Sequence, residues 1–92
     1  MSSPPPSVFT ILYFAAAASY TGLESEKLTA PLPLSKLFAT LEARYEGMTA
    51  KVLTGCAVTV NLEYVDIPGP GEDEVMINTG DEVGVIPPVS SG

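Results

Sequence analysis

One stretch of this 92-residue chain has helical periodicity, whereas the segments around it pattern as strands. Five apolar side chains recur at i, i+3, i+4, i+7 and i+11, which places them on one face of a helix: Leu34, Leu37, Phe38, Leu41 and Tyr45. Ser35 is a residue type that caps helix N-termini, and Gly47 is a type that ends helices. The sequence therefore predicts one amphipathic helix whose apolar face must be covered.

The strands follow from β-branched and aromatic runs between proline- and glycine-rich turns. In residues 8–14 (VFTILYF), apolar side chains fall on both faces of a strand. This pattern predicts a central strand that is covered on both faces. Shorter strands are predicted at residues 24–30, 56–60, 64–67 and 82–86, with a short helical run at 15–20 that ends near Gly22. This order predicts an α+β fold in which a mixed sheet packs on one main helix.

The length and the hydrophobic content of 46% predict a single domain with its own core. Residues 1–7 contain three prolines and are interpreted as a disordered leader, residues 8–88 as the folded domain, and residues 89–92 as a flexible tail. No Lys or Arg precedes the apolar run that starts at Val8, and this run is shorter than the roughly 20 residues that span a bilayer. We therefore expect a cytoplasmic protein that does not bind membranes.

Few residue types that carry catalysis are present. The chain has no His and one Cys, which excludes His-containing zinc sites, Ser-His-Asp and Cys-His pairs, and a disulfide within the chain. Cys56 lies in an apolar strand pattern and is interpreted as an inert core residue. The acids at residues 72–74 lack the spacing of a calcium loop and are interpreted as a solvated loop, so no metal site is predicted. We do not expect a stand-alone enzyme.

The charges are unevenly distributed. All four basic residues precede residue 52, and residues 52–92 contain seven acids: Glu63, Asp66, Glu72, Asp73, Glu74, Asp81 and Glu82. Such a chain has no basic footprint for nucleic acid. The acidic half either forms an ordinary solvated surface or produces an electrostatic field that steers a basic partner towards the chain.

The sequence after the last predicted strand is unusual. Two prolines, which favour an extended chain, are followed by Val89 and three small residues. Six residues from Pro87 to Gly92 extend up to roughly 20 Å, and their small side chains fit a narrow channel. A C-terminal carboxylate, ionised because its pKa is about 3.5, can be activated on a nucleotide phosphate. The alternative interpretation is a frayed end.

The segment GDEVGVIPPVSSG at residues 80–92 resembles the C-terminus of the small subunits of molybdopterin synthases, whose pattern is G-D-E-V-A-x-x-P-P-[VI]-S-G-G. The resemblance extends to LYFA at residues 12–15, to Thr21-Gly22 and to VNxEY at residues 60–64. It implies a ubiquitin-like β-grasp fold. Ser91 departs from the pattern, because the family has a second glycine there.

The resemblance also implies a sulfur carrier. In that family an E1-like adenylyltransferase/sulfurtransferase uses ATP to attach AMP transiently to the terminal glycine, here Gly92, and then forms a thiocarboxylate. The large subunit of the synthase, in an expected heterotetramer, receives the tail and passes the sulfur to cyclic pyranopterin monophosphate. No permanently bound cofactor is implied. The residues expected to bind the partner are Ile86, Pro87, Pro88, Val89, Ser90 and Ser91.

Two alternatives remain open at this point. The same carrier chemistry serves thiazole synthesis and tRNA thiolation in related proteins, although the IPPVS stretch at residues 86–90 favours the synthase. The second alternative is that the chain is a pure interaction module whose tail is never activated. An adenylation assay separates this last alternative from the carriers.

The charge distribution generates a prediction about association kinetics. Because residues 52–92 hold seven acids and no base, we expect association with a basic partner to slow as ionic strength rises. Stopped-flow measurement of the association rate constant tests this. Rate constants that stay flat over a roughly tenfold range of ionic strength would contradict electrostatic steering.

Overall fold

The computed structural model describes residues 7–88. Residues 1–6 and 89–92 lie outside the described range, and with them all but Ser7 of the predicted leader and the whole of the predicted tail.

Seven strands and two α-helices make up the described chain. In order they are β1 Val8–Tyr13, α1 Ala16–Thr21, β2 Ser25–Thr29, β3 Leu32–Pro33, α2 Leu37–Arg44, β4 Ala57–Val60, β5 Glu63–Val65, β6 Met76–Ile77 and β7 Glu82–Ile86. A 3-10 turn, Leu34–Lys36, leads into α2, and a π-helical turn, Thr49–Leu53, follows it. The strands β3 and β6, of two residues each, were not predicted.

The main sheet has five strands in the order β2-β1-β7-β4-β5. The first and last strands, β1 and β7, pair in parallel, and every other pair in this sheet is antiparallel. The short strands β3 and β6 form a separate antiparallel pair. The predicted mixed sheet is confirmed. The central position belongs to β7, with β1 beside it.

The core lies between α2 and one face of this sheet. Buried residues of both form one hydrophobic cluster, in which Leu34, Leu37 and Leu41 from the predicted stripe meet alternate residues of the strands. The cluster excludes water from that face, and burial of this kind is the main favourable term in folding. The predicted two-layer α+β arrangement is therefore confirmed.

The prediction that β1 is covered on both faces is wrong. Phe9, Ile11 and Tyr13 are buried, whereas the residues between them are only half-buried. Phe14, directly after the strand, is 44% exposed. The reason is that, within residues 7–88, the buried cluster lies on one side of the sheet.

The prediction that Ser35 caps the helix is also wrong. The 3-10 turn starts the helical segment one residue earlier, so that Lys36 occupies the N-cap of α2 without a side-chain cap. Ser35 instead donates from its N–H and its hydroxyl to the Glu74 carboxylate, at 3.1 and 2.6 Å. Hydrogen bonds from Ser35 lower the pKa of Glu74. One acid of the predicted solvated loop therefore ties that loop to the start of the helix.

A carboxylate joins the helix to two strands. Glu26 of β2 accepts hydrogen bonds from the hydroxyls of Tyr13 and Tyr45, both at 2.5 Å, and from Arg44 at 2.7 Å. Its side chain is 11% exposed. Burial acts to raise the pKa of Glu26, but the three donors outweigh it and the pKa is lowered.

The buried stripe generates the first prediction from the fold. Leu41 is 0% exposed, so Leu41→Ala removes apolar contacts and leaves a cavity. We expect the free energy of unfolding to fall by about 2–5 kcal/mol. Chemical denaturation measures it, with Ala43→Gln, at an exposed position of the same helix, as the control. A midpoint that does not move for Leu41→Ala would contradict the packing of α2.

The Glu26 cluster generates a second prediction. A carboxylate whose pKa is lowered by folding stabilises the protein above its ordinary pKa, and that contribution is lost as the pH falls through the lowered value. We therefore expect Glu26→Gln to lower the thermal midpoint near pH 7, and we expect the difference from wild type to narrow as the pH falls below the ordinary pKa of a glutamate. A difference of constant size across this range would contradict the ionised cluster.

Candidate partner-binding site

The sheet face opposite α2 presents a row of residues, most of them apolar, that crosses four strands. The register places Leu12 of β1 beside Gly84 of β7, Gly84 beside Thr59 of β4, and Thr59 beside Tyr64 of β5. Tyr64 is 74% exposed, although its ring is apolar. This row, together with Phe14 and Ile86 on the same side, is called the open face below.

A shallow cavity of about 230 Å³ lies on the open face. It is lined by apolar side chains and two polar ones: Leu12, Phe14, Thr59, Leu62, Tyr64, Glu82, Gly84 and Ile86. Gly84 forms its floor, since a Cβ there would lie 2.5 Å from Thr59 Oγ1 and 3.4 Å from Phe14 Cε2. Glycine in a central strand costs stability, and here it leaves room for the Phe14 ring and keeps the cavity open.

The last strand connects the open face to the predicted tail. Ile86 pairs with Ala57 at the end of β7 and also lines the cavity. Pro87 is half-buried and Pro88 is exposed beside Gly55, where a Cβ would lie 3.9 Å from Pro88 Cγ. The other predicted site residues, Val89, Ser90, Ser91 and Gly92, lie outside the described residues.

A second cavity, of about 380 Å³, lies between the π-helical turn, the start of β4 and the end of β5. Cys56 is part of its lining and donates from Sγ to the Val52 carbonyl oxygen at 2.9 Å. Burial raises the pKa of this thiol, so the thiol form is favoured over the reactive thiolate. The environment of Cys56 agrees with its interpretation as an unreactive residue.

Residues 7–88 contain neither a cluster of metal-ligand side chains nor a helix that could cross a membrane. In this part of the chain no three or more His, Cys, Asp or Glu side chains gather where they could hold a metal ion. None of its helices is both long and apolar enough to cross a membrane.

Sequence reasoning missed most of the open face. The pattern places Leu12 and Phe14 on a strand buried on both sides, and it places Tyr64 on a short strand without indicating which face is exposed. The available signal was that a 92-residue chain with one long amphipathic helix can cover one face of its sheet. Apolar residues on the other face then have to be covered by another molecule or remain exposed.

The sheet order, the parallel pairing of the first and last strands and the single main helix define a ubiquitin-like β-grasp protein. SAMP1 of Haloferax volcanii has the same fold, with a TM-score of 0.72, 20% identity and coverage of 92% of this chain and 99% of that one. Subunits 1 and 2 of the molybdopterin-converting factor of Helicobacter pylori form a complex that contains a similar chain, with a TM-score of 0.59, 23% identity and coverage of 92% and 99%.

The model of the ThiS family matches residues 11–92, and the chain belongs to that family. Three similar proteins are each named a molybdopterin synthase sulfur carrier subunit. That of Pyrenophora tritici-repentis is 58% identical over 96% of this chain and 94% of its own length, and that of Emericella nidulans is 53% identical over 94% and 99%. The human protein is 36% identical over 89% of this chain and 91% of its own length.

Proposed function

We propose that this chain is the sulfur carrier subunit of a molybdopterin synthase. The observation that carries the proposal is the similarity, along nearly the whole of both chains, to proteins of that name. A β-grasp domain whose last strand leads towards Gly92 supports it. The chain contributes a reactive group to the synthase and is not an enzyme on its own.

The reactive group in this proposal is the α-carboxylate of Gly92. One of its oxygens attacks the α-phosphate of ATP on an E1-like enzyme, which releases pyrophosphate and leaves an acyl-adenylate. A sulfur nucleophile supplied by a sulfurtransferase then displaces AMP, and a thiocarboxylate results. The thiocarboxylate sulfur forms a bond to cyclic pyranopterin monophosphate on the large subunit, and attack of water on the acyl carbon then breaks the acyl–sulfur bond, leaves the sulfur on the pterin and restores the Gly92 carboxylate. AMP is attached only between the first two steps, so no cofactor stays bound.

The open face is the surface proposed to bind the large subunit. It exposes aromatic and aliphatic side chains around a cavity, and such surfaces on small proteins mark sites of protein association. It also contains Ile86, the last residue of β7, so a partner docked there lies next to the origin of the tail. Pro87, Pro88 and the tail residues 89–92 then extend into the partner, and the complex is a cytoplasmic heterotetramer.

The acidic half of the chain suits the same partner. The thiocarboxylate and the pyranopterin phosphate are both negatively charged, so basic groups are needed around the transferred sulfur. All four basic residues of this chain precede residue 52, and Arg44 is already paired with Glu26. We assign the basic groups at the reaction centre to the large subunit.

Changes at residues 91 and 92 test the proposal. Every described helix and strand ends by Ile86, so we expect deletion of Gly92 to leave the thermal midpoint unchanged. It should abolish sulfur loading and product formation, because the new end lies about 3.5 Å short of the reacting atoms. Ser91→Gly should load as well as wild type or better, because glycine restores backbone freedom.

Intact mass after incubation with ATP, the activating enzyme and a sulfur donor measures the thiocarboxylate. Molybdopterin formation with the large subunit is measured on the same samples. Full loading and full product formation by the deletion variant would overturn the assignment to Gly92. A loaded wild-type chain that gives no molybdopterin would instead favour the carriers of thiazole synthesis or tRNA thiolation.

A further inference from the structure

Leu62 combines two features that folding alone does not favour. It closes the β4–β5 hairpin with Asn61, and both residues have positive φ, 51° for Asn61 and 73° for Leu62. Two-residue turns of this kind favour Asn followed by Gly, because a β-carbon at positive φ is sterically strained. Leu62 is nevertheless present there, and it is 84% exposed. A strained backbone with an apolar side chain in water points to a role in recognition.

The turn is held in place by Asn61. Its N–H donates to the Glu82 carbonyl oxygen at 2.7 Å, and its Oδ1 accepts from the Glu82 N–H at 3.0 Å. Its Nδ2 donates to Asp81 Oδ1 at 3.1 Å. These bonds fix the hairpin tip to the start of the central strand β7, so the backbone under Leu62 is already ordered. An anchor on an ordered support loses little conformational entropy on binding.

The position of Leu62 relates it to the open face. Its side chain is part of the lining of the 230 Å³ cavity, together with Leu12, Phe14 and Tyr64. The Asp81 carboxylate lies at the tip, where it accepts from Asn61 Nδ2, and Glu82 is part of the lining of the same cavity as Leu62. A partner that covers the open face therefore meets an apolar side chain beside a pair of carboxylates.

We infer that Leu62 is a preformed anchor for the large subunit of the synthase, where it enters an apolar pocket with basic groups at its rim. This inference rests on the proposed function and adds a specificity-determining residue to it. The hairpin strain persists in the free chain because Asn61 holds the turn, and docking covers the leucine. The large subunit is the expected partner because Leu62 lines the same cavity as Ile86, the residue from which the chain continues towards the tail.

Two substitutions separate recognition from folding. Leu62→Gly removes the strained β-carbon and the exposed side chain, and Leu62→Asn keeps a side chain of a type that tolerates positive φ. Both should leave the thermal midpoint of the full chain unchanged or raise it. Both should weaken binding to the purified large subunit by about ten- to a hundredfold in Kd, mainly through faster dissociation. A residue that served the fold would lower the midpoint instead.

Met76→Gln is the matched control. Met76 is an exposed apolar residue of similar size, but it lies on β6, which pairs with β3 away from the main sheet. Its substitution should leave the Kd for the large subunit at the wild-type value. Isothermal titration calorimetry gives Kd, and sedimentation velocity of the isolated chain reports self-association.

The outcomes are distinct. Weaker binding by both Leu62 variants with an undiminished midpoint supports the anchor. Wild-type Kd values for both variants, or a midpoint lowered in both, would overturn it. A change in self-association alone would assign Leu62 to contacts between copies of this chain and would also overturn it. A wild-type chain that does not bind the large subunit at all would contradict the proposed function itself.

Discussion

The parallel pairing of β1 with β7 is the interaction on which the rest of the structure depends. It joins residues about seventy positions apart in sequence, for example Leu12 with Gly84, and it places β7 between β1 and β4. A strand with neighbours on both sides has its hydrogen bonds satisfied along its length, so β7 is among the best-held segments. Because such long-range contacts have to form before the sheet is complete, we expect folding to be slower than in a helical bundle of this size. The residues that follow Ile86 in sequence consequently start from a fixed point.

The two-layer design explains why a protein of this size has a surface ready for a partner. One main helix covers one face of the sheet, and the described chain supplies no equivalent layer for the other. Leu12, Phe14 and Tyr64 therefore contribute little to the core and much to the open face. Gly84 illustrates the compromise, since a glycine in the central strand weakens the sheet while it leaves the cavity open. Stability and recognition are thus divided between the two faces of one sheet.

Sequence patterns predicted the parts of this fold that have a clear period. The apolar stripe from Leu34 to Tyr45 predicted helix α2. The apolar runs predicted strands β1, β4 and β7 close to their observed bounds. The strands β3 and β6 were missed because two residues have no periodicity. Ser35 was misassigned because a capping type does not reveal that Glu74, 39 residues later, binds its N–H. The open face was mistaken for core because apolar spacing does not say which molecule covers a side chain. The role proposed for Gly92 rests on a resemblance, and no pattern in the chain predicted a role for Leu62.

An uncovered apolar face has a consequence for the carrier as long as no other molecule covers it. Two copies that meet through their open faces would bury apolar surface, and this is the usual start of aggregation. The chain has a net charge of −7, so approaching copies repel each other at physiological pH. The excess of acids thus gives the unpartnered carrier its colloidal stability. The carrier depends on this repulsion for as long as the open face is uncovered, and a molecule that covers the face removes the need for it.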